Sequence, residues 1–154
     1  MYSIYLDKAD GATRIVPFKV SARPHPLNSH ANDIVREYIL DRVSNVASRY
    51  SHVEIFDDTI SNASWVNAGS IAYFEGSNIL VKIDGTDPQY RHSGGVLLSA
   101  HFDSVSTAPG TTDNGMGVVT AMQMVEYFAK HRPKRTVVFN LNNGEEIWLY
   151  GAHA

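Results

Sequence analysis

Apolar positions along the chain recur with two different periods. In residues 31–50, ANDIVREYILDRVSNVASRY, the positions Ile34, Val35, Tyr38, Ile39, Val43 and Val46 repeat with helical spacing, and Leu40 widens the stripe. GVVTAMQMVEYFAKH (117–131) carries Val118, Val119, Met122, Val125 and Phe128 and predicts a second, buried amphipathic helix, with Pro133 just past its end. HVEIFDDTI (52–60) alternates instead, as a strand does, and IAYF (71–74) and NILVKI (78–83) predict two more, with Glu75, Gly76 and Ser77 as the turn between them. GVLLSA (95–100) and TVVFNL (136–141) are continuous apolar runs, the pattern of strands buried on both faces. NNGEEIWLYGAHA (142–154) predicts entry into a further helix after Gly144.

The polar stretches separate these elements. Residues 1–23 are weakly patterned. Pro24 and Pro26 exclude a helix interior, and the polar run after them supplies helix N-caps. NASWVNAGS (62–70) reads as a polar connection and GTDPQYRHSGG (85–95) as a loop. Strands that alternate with helices define an α/β class, with a mixed, largely parallel central sheet flanked by helices in one domain over residues 1–154. Ligands of such sheets collect beyond the carboxyl ends of the strands. GVLLSA runs into His101 and Asp103, and TVVFNL runs into Glu145 and Glu146. Parallel pairing of those two strands would gather all four residues at one sheet edge.

Composition narrows the chemistry. A formal net charge of -3 gives no basic footprint for nucleic acid. The absence of cysteine leaves only His and carboxylates as metal ligands. The N-terminus has no signal-peptide pattern, and no run approaches the ~18 apolar residues that a membrane span requires. His25, His30, His52, His92 and His131 are scattered and read as solvated or locally hydrogen-bonded. Trp65 and Trp148 read as packing residues, with the alternative that Trp148, next to the acidic pair, lines a specificity pocket, and KHRPKR (130–135) reads as a solvated basic turn. Asn62-Ala63-Ser64 fits the N-glycosylation acceptor pattern, which matters only in a secretory compartment.

His101, Asp103, Asp113, Glu145 and Glu146 form the candidate site. Taken singly, Asp113-Asn114-Gly115 is a turn and Glu145-Glu146 an acidic first helical turn. Together, with each pair (His101 and Asp103, Glu145 and Glu146) directly after a buried strand, they suit a metal. A His two residues before an Asp can bind a cation through one ring nitrogen and donate the other N–H to the carboxylate. A carboxylate can bridge two cations about 3.5–4 Å apart. Adjacent glutamates can divide labour between binding metal and taking a proton from water.

The segments SAHFDSV, GTTDNGMGVV and NNGEE resemble the M28 family of zinc aminopeptidases. PHPLNSHANDIVREYILDRV together with NLNNGEEIWLYGAHA is similar to the fungal vacuolar membrane protease branch of that family, and the resemblance covers residues 24–154. It implies a zinc aminopeptidase-like fold, peptide substrates and two zinc ions per complete domain. It also implies that His101 binds one zinc, Asp113 bridges both and Glu146 binds the second. Glu145 would be the general base acting on the attacking water, and Asp103 would orient His101. The aspartate twelve positions after His101 resembles the aminopeptidase arrangement rather than that of aminoacylase-type relatives. Two alternatives stand beside peptide hydrolysis: a non-catalytic M28-like interaction module, and a glutaminyl cyclase-like acyl transferase. The family uses five protein ligands, of which this chain offers three. The expectation is therefore a partial protease domain, truncated at the C-terminus and inactive by itself, with exposed apolar surface around TVVFNL and the helix after Glu145. The branch implies a lumen-facing domain at the vacuolar membrane, anchored through flanking segments.

Overall fold

The computed structural model describes residues 17–67, 69–90 and 94–153. After a four-residue helix α1 (Pro17–Val20), the chain turns through the two prolines into helix α2 (His30–Ala47). Ser29 caps α2: its backbone is extended and its hydroxyl accepts the N–H of Asn32 at 3.1 Å. Asn32, Val35, Ile39, Val43 and Val46 face inward at helical spacing, whereas Ile34 is exposed.

Strands β1 (Val53–Asp57), β4 (Ile79–Ile83), β5 (Val96–His101) and β6 (Val137–Asn142) form a sheet of order β1-β4-β6-β5. Strands β2 (Asn62–Asn67) and β3 (Ser70–Glu75) form a separate two-stranded hairpin. Helix α3 (Met116–Lys130) links β5 to β6 after a kinked turn at Thr111–Gly115, and these two strands run parallel. A helical crossover is the connection parallel neighbours require. Ile79, Val81 and Ile83 of β4 and Val137, Phe139 and Leu141 of β6 alternate onto one face. They share one buried cluster with the inward residues of α2 and α3.

The sheet is mixed, as expected, but its parallel share is small. β1–β4 and β4–β6 are antiparallel, and only β5–β6 is parallel. NASWVN is a strand rather than a connection, because IAYF pairs with it and not with NILVKI. NILVKI instead returns to pair with β1 and β6. Asn62, Ser64 and Val66 alternate along the strand and are exposed; a segment of this kind reads as polar in one dimension, yet suits a pleated hairpin once a partner strand is present.

The continuous run GVLLSA is not buried along its whole length. β5 is an edge strand among the described residues, and Val96 and Leu97 are exposed while Ala100 and His101 are buried. TVVFNL, by contrast, lies between β4 and β5 and keeps Val137, Phe139 and Leu141 covered. The helix expected after Gly144 is reduced to α4 (Tyr150–His153). Trp148 and Leu149 adopt left-handed backbone (φ 68 and 59) and interrupt it. Trp148 is 63% exposed, so it is not a packing residue. Ile147 and Leu149 are exposed beside it. No described helix is long and apolar enough to cross a membrane.

Candidate metal centre

The parallel pairing of β5 and β6 sets the site. Its register places His101 level with Asn142, and the N–H of Phe102 donates to the Asn142 carbonyl at 2.9 Å. Both strands therefore end together, and the residues that follow each one meet. His101 is buried at the end of β5, Asp103 is buried two residues on, and Glu145 and Glu146 follow β6 in a turn.

Asp103 joins the two strand ends. Its Oδ1 accepts the backbone N–H of Glu145 and its Oδ2 that of Glu146, both at 3.1 Å. Oδ1 also lies 3.4 Å from Nδ1 of His101, and the Asp103 carbonyl is 3.2 Å from the same nitrogen. With Nδ1 engaged, Nε2 of His101 faces outward. It sits 3.1 Å from Oδ1 of Asp113 and 3.7 Å from Oε2 of Glu145.

Asp113 reaches this position from the kinked turn Thr111–Gly115, in which its own backbone (φ -125, ψ 90) is not helical. The N–H of Gly115 donates to the Gly110 carbonyl at 2.8 Å, and the Asp113–Asn114 peptide bond is cis. Gly110 has φ 61, and a Cβ there would come within 2.7 Å of the Asp113 carbonyl, so the turn needs glycine. Donor atoms of His101, Glu145 and Glu146 all lie within 4.8 Å of one another. Asp113 touches His101 but lies outside that three-residue group, with its side chain 80% exposed.

One imidazole thus faces four carboxylates, and the titration of the cluster reflects the imbalance. Burial pulls the His101 pKa down. Hydrogen bonds and charge from Asp103, the hydrogen bond to Asp113 and the charge of Glu145 outweigh it and raise the value to about 9. Burial acts to raise the Asp103 pKa, yet His101 and the two backbone N–H groups hold it below its usual value. Glu146 is pushed up, by burial first and then by Asp113. A compact negative cluster that recruits protons in this way suits a divalent cation. An imidazole nitrogen and carboxylate oxygens form a donor set that zinc accepts, with bonds of about 2.0–2.2 Å.

A buried polar network supports this end of the sheet, and sequence reading did not find it. Asn32 and Asn143 exchange side-chain amide hydrogen bonds at 3.0 and 2.8 Å. Asn143 also donates to Ser77 Oγ at 2.8 Å, and its backbone N–H donates to Asn78 Oδ1 at 3.1 Å. Asn78 in turn donates to the Gly151 carbonyl at 2.8 Å. His25 is buried and locally hydrogen-bonded: its backbone N–H donates to the Ser104 hydroxyl at 2.9 Å, and its ring contacts the Arg23 carbonyl at 2.8 Å. One signal could have revealed the network: Asn32 occupies the position three before Val35 on the inward stripe of α2, where a polar residue requires a buried partner. His30 and His131 are exposed, His52 contacts the Ala129 carbonyl, and His92 lies outside the described residues. His153 lies in α4, outside the three-residue group.

Comparisons with known proteins agree with this architecture. The chain is 58% identical over 136 residues to a vacuolar membrane protease of Schizophyllum commune, with 88% of this chain and 15% of that protein covered. It is 62% identical over 135 residues to the protein of the same name in Laccaria bicolor, covering 88% of this chain and 13% of the relative. The chain therefore spans about one seventh of the length of the curated relatives it matches. Among solved structures, a Zn-dependent exopeptidase from Parabacteroides distasonis superposes with a TM-score of 0.60 at 19% identity, over 86% of this chain and 44% of that one. A glutaminyl cyclase from Macrostomum lignano gives a TM-score of 0.60 at 16% identity, over 82% of this chain and 36% of that one. At such identities the likeness is one of fold, shared by a peptidase and a cyclase alike. The pattern of peptidase family M28 settles the membership that the fold leaves open: it matches residues 78–154, half of the sequence and the half that holds every member of the cluster, and the chain belongs to that family.

Proposed function

We propose that this chain is part of a zinc-dependent peptide hydrolase of the exopeptidase type, working at the vacuolar membrane with its protease domain facing the lumen. The observation that carries the reading is the cluster of His101, Glu145 and Glu146 at the joined ends of β5 and β6, with Asp103 holding both ends. The relatives' names support protease over acyl transferase, and the intact set of acidic residues supports an enzyme over a non-catalytic module.

In this reading His101 would hold one zinc through Nε2 and Glu146 a second, and Asp113, whose Oδ1 lies 3.1 Å from that nitrogen, would serve as a ligand for both. Zinc, when bound, lowers the pKa of water towards about 7 and polarises a scissile carbonyl. Glu145 is the general base: its carboxylate takes a proton from the attacking water and returns it to the departing amine. Asp103 acts through others. It engages His101 Nδ1, so that Nε2 would be the nitrogen offered to a metal, and it anchors the backbone of both glutamates.

Two measurements test this. Zinc titration of the chain by calorimetry should show weak binding that His101→Ala and Glu146→Gln each reduce at least tenfold. Glu145→Gln should leave that binding within about threefold, while abolishing hydrolysis of aminoacyl chromogenic substrates by the intact gene product. The unaccompanied chain should show no turnover. Loss of zinc binding in Glu145→Gln would make Glu145 a ligand and remove it as the base.

A further inference from the structure

We propose that Asn62 carries an N-linked glycan that lies over the exposed face of the β2–β3 hairpin. Asn62-Ala63-Ser64 is the one acceptor triplet in the sequence. It sits at the start of β2, where Asn62 and Ser64 project on the same side of the strand and both are exposed. The Asn62 side-chain nitrogen has a single contact, 3.5 Å from the Ile60 carbonyl, at the outer limit of a hydrogen bond. The atom that would bear the sugar is thus presented to solvent.

The surroundings suit a sugar. Asn62, Ser64 and Val66 stand opposite Glu75, Tyr73 and Ile71 respectively, and all six are exposed. Val66, Ile71 and Tyr73 therefore form an apolar surface standing off the main sheet, with nothing described over it. Tyr73 is the diagonal cross-strand neighbour of Asn62, at a spacing of about 7–8 Å within reach of long side chains. A first N-acetylglucosamine on Asn62 can lay its apolar face on the Tyr73 ring. The candidate metal ligands lie at the end of β5 and after β6, in the other sheet, so a glycan here leaves the cluster's own elements unmodified.

The transfer forms a bond between Nδ2 of Asn62 and the anomeric carbon of N-acetylglucosamine. The bond from that carbon to a polyprenyl pyrophosphate breaks, the pyrophosphate leaves with the electron pair, and one amide proton is released to base. The donor is a polyprenyl-pyrophosphate oligosaccharide of the secretory pathway, so the inference rests on the lumen-facing reading above.

The test separates site from location. The chain is expressed in fungal cells behind a cleavable secretory signal, in parallel with the tagged intact gene product. Both are analysed by endoglycosidase-sensitive gel mobility and by mass spectrometry of the Asn62 peptide. The expected result is one glycan on each, lost in Asn62→Gln and Ser64→Ala and kept in Ser64→Thr. A bare Asn62 peptide in the secreted chain overturns the site itself. A glycan on the secreted chain but none on the intact product overturns the lumen-facing placement, and with it the glycan in the cell. Enzymatic deglycosylation should raise binding of a hydrophobic dye, and unchanged binding would refute the covering of Tyr73.

Discussion

Replacing Asp103 by Asn changes one atom and one charge at the point where the two strand ends are tied. Asp103 accepts one backbone N–H on each oxygen, from Glu145 and Glu146, and faces His101 as well. Its side chain is fully buried, so water cannot replace a lost partner. Hydrogen bonds to a charged acceptor contribute about 1.5–3 kcal/mol each, and a buried donor left unpaired costs about 1–3 kcal/mol. The amide can keep one N–H bond through its oxygen. Its NH2 group must then meet the second N–H, donor against donor. The expected loss is about 2–4 kcal/mol of unfolding free energy. With a urea dependence of about 2 kcal/mol/M, the midpoint should fall by roughly 1–2 M. The assay is urea unfolding of the metal-free chain followed by tryptophan fluorescence, paired with an NMR titration of the His101 ring. In Asp103→Asn the His101 pKa should drop from about 9 towards its ordinary value, because the first charge that raises it is gone. A midpoint shift below about 0.3 M with an unmoved His101 titration would refute the role given to Asp103.

Other consequences follow from the same geometry. The metal-free chain should lose stability as the pH rises from 6.5 to about 9: His101 is held protonated in the fold, so its contribution is complete below the unfolded value and disappears as it deprotonates. Thermal unfolding across that range, with excess chelator, reads this directly, and zinc affinity should rise over the same interval as the competing proton leaves. Asn143→Ala removes one half of the Asn32 amide pair and the bond to Ser77, and should destabilise the chain by about 2–4 kcal/mol in urea unfolding. Gly151→Ala drives a methyl group into the Asn143 backbone, with Asn78 Oδ1 only 2.7 Å away. It should cost about 1–3 kcal/mol and weaken zinc binding in calorimetry, because Asn143 adjoins the turn that carries Glu145 and Glu146.

Much of the chain was legible as a string because its signals are local. The stripe of α2, the stripe of α3 and the apolar run of β6 are set by which neighbours are three, four or two positions away, and each formed where the pattern put it. The five candidate residues were legible for the same reason, since each stands next to a strand or at a turn whose end the pattern marks. Pairing is a different quantity. IAYF reads as a strand from its own residues, but nothing in those residues chooses NASWVN over NILVKI as its neighbour. The run GVLLSA announces burial, yet its place at the sheet edge leaves Val96 and Leu97 in solvent. The helix expected after Gly144 is cut to α4 by the left-handed backbone of Trp148 and Leu149, which no local apolar pattern announces.

The sequence by itself determined most of the element types, the family pattern and the chemical character of the candidate residues, because covalent order and side-chain chemistry suffice for them. The tertiary structure alone decided which carboxylate meets which nitrogen. It makes Asp103 an anchor for both glutamates as well as a partner of His101, it draws Glu145 rather than Asp113 into the closest group with His101 and Glu146, and it pairs Asn32 with Asn143 across 111 positions. Those contacts are fixed by the packing of α2 and α3 on the sheet and by the parallel register of β5 and β6. A hydrogen bond needs atoms within about 3 Å of each other, and only the folded chain brings such distant residues that close.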